Sequence, residues 1–188
     1  ADLHSVMDLQ VEVVAGYGIP VNIAESVLKP RISEVSGSVS PVNHNRTVDI
    51  ARLLGLDYIC THTIADNLGA SFLVQTVKKQ KPETVGDVVE LLKKLPEFRE
   101  AAKLNAGPAL FTGHADNQCG KIVISEFTGG TSGAKEIYEK MAHAGIGTII
   151  GMHMGEEHRK EAEKNHINVV IAGHMASDSL GMNLFLDA

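Results

Sequence analysis

The sequence predicts an α/β fold in which a largely parallel sheet is flanked by helices. Its second half alternates strand-like and helix-like segments, in the order GKIVISEF, AKEIYEKMAHAG, IGTIIGMH, GEEHRKEAEKNH and INVVIAGH. Such alternation is typical of units in which helices connect parallel strands. The chain has 188 residues, 44% of them hydrophobic, which is ordinary for a globular protein. We expect one α/β unit over residues 1–188, or two lobes of about 1–105 and 106–188 separated near Gly107-Pro108.

The first half of the chain predicts mainly helices that pack on this sheet. Length and the absence of internal Gly or Pro predict a helix over residues 4–15, and further helices are expected over residues 21–35, 65–80 and 84–94. Pro30 lacks a backbone N–H and should kink or end the second of them. Thr84, followed three residues later by Asp87, is a plausible N-cap of the fourth.

A short helix and a strand are expected between these helices. Gly55 should end a helix that starts at Arg46, and the apolar run LDYICT over residues 56–61 predicts a buried strand. Cys60 would then be a small core residue. Cys60 and Cys119 are far apart in the sequence and predict a reduced, cytoplasmic protein.

Charge and composition exclude several classes of partner. The net charge is −6, the longest basic run is Lys78-Lys79, and there is no Trp. Nucleic acid is therefore an unfavourable partner, because the basic surface and the stacking side chains that bind it are missing. No apolar stretch approaches the ~20 residues that span a bilayer. These observations favour a small-molecule ligand.

Two copies of one arrangement carry the strongest chemical signal. His62 follows the predicted strand LDYICT and Asp66 comes four residues later; His174 follows INVVIAG and Asp178 comes four residues later. Residues i and i+4 share a face once a helix begins, so each pair can direct an imidazole and a carboxylate at one point. These are ligands that Zn, Mn or Fe accept. A single copy would fit a first-turn carboxylate beside a histidine, but the repetition favours a metal site.

Two further features lie at predicted strand ends. His153 closes IGTIIGMH and could ligate a metal, transfer a proton or bind an anionic substrate, whereas His158 fits a solvated helix surface. The glycine loop over residues 128–133 precedes a helix and could seat a phosphate, or could be only a tight turn. We select His153 as the candidate for proton transfer.

The two His-Asp blocks, and the closing segment NHINVVIAGHMASD over residues 165–178, resemble the signature blocks of the Nif-three-like family, some of whose members are described as GTP cyclohydrolase I type 2 homologues. The resemblance covers most of the chain, including GGTSG. The family usually has Glu where this chain has Asp178. Its early His-His pair has no counterpart here, and the start at Ala1 in a helical pattern suggests that an N-terminal segment is absent.

The resemblance implies a two-lobe architecture, a homohexamer and two adjacent divalent metal ions per subunit in the full-length protein. Residue by residue, it implies that His62, Asp66, His174 and Asp178 are metal ligands. The expected function is a dinuclear-metal-dependent hydrolase acting on a small, phosphorylated or nucleotide-like substrate. The alternative is a non-catalytic metal-binding protein that acts in regulation or protein interaction.

Overall fold

The computed structural model describes residues 3–38, 45–125 and 132–188. Within these ranges the chain forms nine helices and four strands. The helices are α1 Leu3–Gly16, α2 Val21–Ser38, α3 Arg46–Leu54, α4 His62–Gln80, α5 Val85–Lys93, α6 Pro96–Lys103, α7 Ile137–His143, α8 Glu156–Lys164 and α9 His174–Leu186. The strands are β1 Ala109–Thr112, β2 Lys121–Ile124, β3 Ile146–Gly151 and β4 Asn168–Ile171.

The four strands form one mixed sheet in the order β1-β4-β3-β2. Strands β2, β3 and β4 run parallel, whereas β1 pairs antiparallel with β4. The α/β class is confirmed, but the prediction of a largely parallel sheet is wrong. The reason is the connection between β1 and β2, which spans only residues 113–120. A parallel crossover needs a dozen or more residues, so β1 runs opposite to the other three strands.

The sheet has an apolar core on each face. Consecutive residues of one strand point to opposite faces, and Ile149 and Ile150 of β3 accordingly belong to different cores. Core cluster 1 combines Ile149 with buried residues of α1, α2 and α7, and core cluster 2 combines Ile150 with buried residues of α4, α5, α6 and α9. Each cluster contains residues from before and after position 105, and the division into two lobes stays a prediction.

Most helices expected in the first half are present. The N-cap prediction at Thr84 is confirmed, because its hydroxyl accepts the Asp87 N–H and the Asp87 carboxylate accepts the Thr84 N–H. Helix α2 does not end at Pro30 but continues to Ser38. Leu28 and Ile32, on either side of Pro30, are both buried in core cluster 1. Their burial favours the helix in spite of the backbone hydrogen bond that the proline removes.

The strand predicted over residues 56–61 is wrong. No strand of the described sheet includes these residues, and Leu56 and Ile59 are 61% and 67% exposed. Cys60 is exposed as well, so its assignment as a core residue is also wrong. A short apolar run favours a strand only where a neighbouring strand supplies hydrogen bonds, and the described sheet offers none there.

Cys119, by contrast, is buried, and both described cysteines are free thiols. Among the described helices, none combines the length and the apolarity of a membrane span.

Candidate functional site

The two predicted His-Asp couples begin the two helices α4 and α9. His62 is the first residue of α4 and follows the N-cap Thr61. His174 is the first residue of α9 and follows Gly173, whose φ is +104°. A Cβ at residue 173 would lie 2.5 Å from the carbonyl oxygen of Ala106, so the turn from β4 into α9 requires glycine both for its conformation and for space.

In each couple the imidazole lies one helical turn from its carboxylate. His62 Nδ1 is 3.5 Å from Asp66 Oδ2, and His174 Nε2 is 3.8 Å from Asp178 Oδ2. The exposure of the two carboxylates differs. The Asp66 side chain is 5% exposed and the Asp178 side chain 37%, while both imidazoles are at least half exposed. In each couple, therefore, the imidazole is more exposed than the carboxylate.

Asp66 is the most unusual group of the site. Burial raises the pKa of its carboxyl group, and the negative charge of Asp178 raises the pKa further, while His62 and His174 act in the opposite direction. Its Oδ1 atom is buried and has no hydrogen-bond partner. A buried carboxylate oxygen without a partner is costly, since no water replaces its lost hydration. Side chains of both α4 and α9 thus act on one buried carboxylate.

His153 lies beside the second couple. The centroid of its ring is 4.8 Å from that of His174, with 36° between the ring planes. Burial lowers the pKa of His153, the charge of His174 lowers it further, and Asp178 opposes the shift. The structure therefore places the third strand-end histidine next to the His174–Asp178 couple.

The couples do not by themselves form a complete coordination sphere. Over residues 3–38, 45–125 and 132–188, no set of three or more His, Cys, Asp or Glu side chains is close enough to hold one metal ion. Most of the predicted glycine loop, residues 128–131, lies outside the described ranges. His158 contacts Tyr138 of core cluster 1, with 3.1 Å between the tyrosine hydroxyl and Nδ1.

Two glycines that the sequence alone did not single out lie in the contact between α4 and α9, and the contact depends on one of them. A Cβ at Gly181 would lie 2.2 Å from the carbonyl oxygen of Ala65, and a Cβ at Gly69 would lie 3.8 Å from that of Ser177. A signal for both was present in the sequence. Residues 62–69 and 174–181 share His at the first position, Asp at the fifth, Leu at the seventh and Gly at the eighth.

Comparison with known proteins gives one informative result. No protein-family profile matches the sequence, and no curated protein is significantly similar to it. The fold is similar to the crystal structure of a NIF3 superfamily protein from Sphaerobacter thermophilus, with a TM-score of 0.84 and 25% sequence identity. The similarity covers 99% of this chain and 68% of that chain.

Proposed function

We propose that this chain, whose fold is similar to that of a NIF3 superfamily protein, is a metal-dependent hydrolase whose site is built on His62, Asp66, His174 and Asp178. The observation that carries the proposal is the buried, unpartnered Oδ1 of Asp66, whose carboxyl group is influenced by both histidines and by Asp178. The similarity to a NIF3 superfamily structure also supports the Nif-three-like resemblance found in the sequence.

The residues present fit a divalent cation. A cation would supply the partner that the buried Asp66 oxygen lacks and would reduce the repulsion between Asp66 and Asp178. The donor set of two imidazoles and two carboxylates suits Zn, Mn or Fe. Each couple offers one nitrogen and one oxygen, so two ions would need further ligands beside these four residues. When bound, such ions would supply Lewis acidity toward a substrate oxygen and make water acidic enough to attack at neutral pH.

His153 is the residue that we propose for proton transfer. It lies at the end of β3, beside His174, and its lowered pKa favours the neutral imidazole at neutral pH. A neutral imidazole accepts a proton from an attacking water and can return it to a leaving group. The exposure of His62 and His174 leaves the site open to a small substrate. We propose a phosphorylated or nucleotide-like compound as that substrate.

The second candidate is a metal-binding protein that acts by protein interaction. The observation that favours it is the apolar surface just before His62, where Leu53, Leu56 and Ile59 are 85%, 61% and 67% exposed. Contiguous exposed apolar side chains often mark a contact with another protein. In this case the metal would stabilise or regulate the surface instead of supporting turnover.

The test is turnover with controlled metal content. The protein is stripped with a chelator, reloaded separately with Zn²⁺, Mn²⁺ or Fe²⁺, and assayed against phosphoesters, cyclic amides and nucleotides. We expect metal-dependent product from the wild type and from His114→Ala, whose histidine is exposed in the turn after β1. His174→Ala should lose more than about 100-fold in metal affinity, since even residues that only support a ligand contribute about 10- to 100-fold.

Three outcomes separate the candidates. Metal-dependent product that His174→Ala abolishes supports the hydrolase. Stoichiometric metal by elemental analysis without product from any substrate favours the interaction protein. A wild-type protein that retains no metal after reloading contradicts both.

A further inference from the structure

The helices α4 and α9 carry the same eight-residue pattern, and their contacts are reciprocal. The fourth position of residues 62–69 and of residues 174–181 holds a small residue, Ala65 in one helix and Ser177 in the other. The final glycine of each segment faces the small residue of the other: Gly181 faces the Ala65 carbonyl, and Gly69 faces the Ser177 carbonyl. The two segments therefore pack as equivalent halves around one contact.

The two halves of this contact differ in how tightly they pack. A Cβ at Gly69 would be 3.8 Å from the nearest atom, an ordinary contact distance, whereas a Cβ at Gly181 would be 2.2 Å from the Ala65 carbonyl oxygen. The latter distance is far below the optimum of about 3.5–4.0 Å, so the helices would have to separate by about 1 Å or more. Close approach of α9 to α4 thus depends on Gly181.

Each small residue is followed directly by the carboxylate of its couple. Ala65 precedes Asp66, and Ser177 precedes Asp178. The side chain of Asp66 is only 5% exposed, and its Oδ1 has no hydrogen-bond partner. This buried oxygen without a partner is a second observation, independent of the glycines, and a bound cation would supply its missing partner.

We propose that Gly181 is a positioning residue: the absence of a Cβ there lets α9 approach α4 closely enough for the His62–Asp66 and His174–Asp178 couples to serve adjacent metal ions, each couple offering one nitrogen and one oxygen. This inference rests on the proposed function. Gly181 itself contacts no ligand and acts through the spacing of the two helices.

The chain supplies matched controls for this proposal. Gly69→Ala is the equivalent substitution in the other half, and its Cβ fits without displacement. Gly69→Val adds two methyl groups beyond that Cβ and should separate the helices moderately. Val88→Ala removes fully buried side-chain volume from α5 in core cluster 2, so it lowers stability without touching the helix contact.

The first measurement is Zn²⁺ affinity by calorimetry, together with the electronic absorption spectrum of the Co²⁺-loaded protein. Gly181→Ala should bind Zn²⁺ about 10- to 100-fold more weakly than the wild type, because misplaced ligands weaken metal affinity by about this factor. The absorption spectrum of its Co²⁺-loaded form should also differ from that of the wild type. Gly69→Ala and Val88→Ala should keep the wild-type affinity and spectrum, although Val88→Ala is less stable.

The second measurement does not depend on metal. In metal-free crystal structures, the distance between the Cα atoms of residues 65 and 181 should increase by about 1 Å in Gly181→Ala. It should stay unchanged in Gly69→Ala. If the wild type binds no metal, the proposed function fails, and this distance still decides whether Gly181 sets the helix spacing.

Three results would overturn the proposal. One is a folded Gly181→Ala protein with wild-type Zn²⁺ affinity, and another is an unchanged helix distance in that variant. The third applies if Gly181→Ala does not fold: a folded Gly69→Val protein with wild-type affinity would then show that helix spacing does not control the site.

Discussion

His158 packs against a core residue, although its sequence context predicted a solvated position on a helix surface. It is half-buried, its Nδ1 lies 3.1 Å from the hydroxyl of the buried Tyr138, and the two rings meet edge to face with centroids 5.7 Å apart. Burial lowers the pKa of His158, and the charges of Arg31 and Lys135 lower it further. His158, Arg31 and Lys135 also border a cavity of about 730 Å³. The neutral form is therefore the one that the fold favours.

This shift has a defined effect on stability. The unfolded chain, in which histidine has its ordinary pKa of about 6.5, binds more protons at acid pH than the folded chain. The preference of the fold for neutral His158 therefore contributes to the free energy of unfolding above about pH 6.5. This contribution is lost as the pH falls below that value. We expect the free energy of unfolding in urea to decrease less between pH 7.5 and 5.5 in His158→Gln than in the wild type.

The comparison has an internal control. His114→Gln, in an exposed turn, should follow the wild-type pH dependence, and the shift at His153 is common to all three proteins. Identical pH slopes for His158→Gln and the wild type would show that His158 does not make this contribution.

At the scale of elements, helix α5 shows local sequence deciding local structure. The Thr84 hydroxyl accepts the Asp87 N–H at 3.2 Å, and Asp87 Oδ2 accepts the Thr84 N–H at 2.9 Å. These bonds satisfy backbone groups that helix ends otherwise leave unpaired. The segment over residues 56–61 shows the opposite case, because an apolar run alone did not produce a strand.

We expect Thr84→Ala to lower the free energy of unfolding by about 1 kcal/mol, because it removes the acceptor for the Asp87 N–H. The measurement is urea denaturation followed by circular dichroism. Thr47→Ala, at an exposed position of α3, should change stability by less than about 0.5 kcal/mol. Equal stability of the two variants would mean that this capping box contributes nothing.

At the scale of the whole molecule, one sheet separates two cores that could unfold together or apart. Tyr138 belongs to core cluster 1 and Cys119 to core cluster 2. Burial raises the pKa of the Cys119 thiol, so this thiol should react only when core cluster 2 opens. These two residues provide a separate probe for each face of the sheet.

We expect both faces to unfold in one transition, because β3 contributes adjacent residues to both cores. In a Cys60→Ser, Tyr58→Phe background, the tyrosine fluorescence comes from Tyr17 and Tyr138, both at core cluster 1. This fluorescence and Cys119 labelling should report the same urea midpoint. Ile149→Val and Ile150→Val should each lower the free energy of unfolding by about 0.5–1.5 kcal/mol by both probes. Two separate midpoints would instead show that the two faces of the sheet unfold independently.

Features that depend on short stretches of chain could be predicted from the amino-acid sequence. The order of strands and helices from β2 to α9, the cap at Thr84 and the two His-Asp couples follow from periodicity and from i, i+4 spacing. Repetition of the couple made it visible without any distance information. The repeated glycines were equally visible, but their importance depends on what they face.

Features that depend on distant neighbours could be established only from the folded chain. The antiparallel direction of β1, the exposure of residues 56–61 and the burial of Asp66 all depend on which elements pack together. The same is true of the 2.2 Å that separates a Cβ at Gly181 from the Ala65 carbonyl oxygen. The physical reason is that hydrogen-bond pairing, burial and close packing are properties of two partners, while a local sequence pattern describes only one of them.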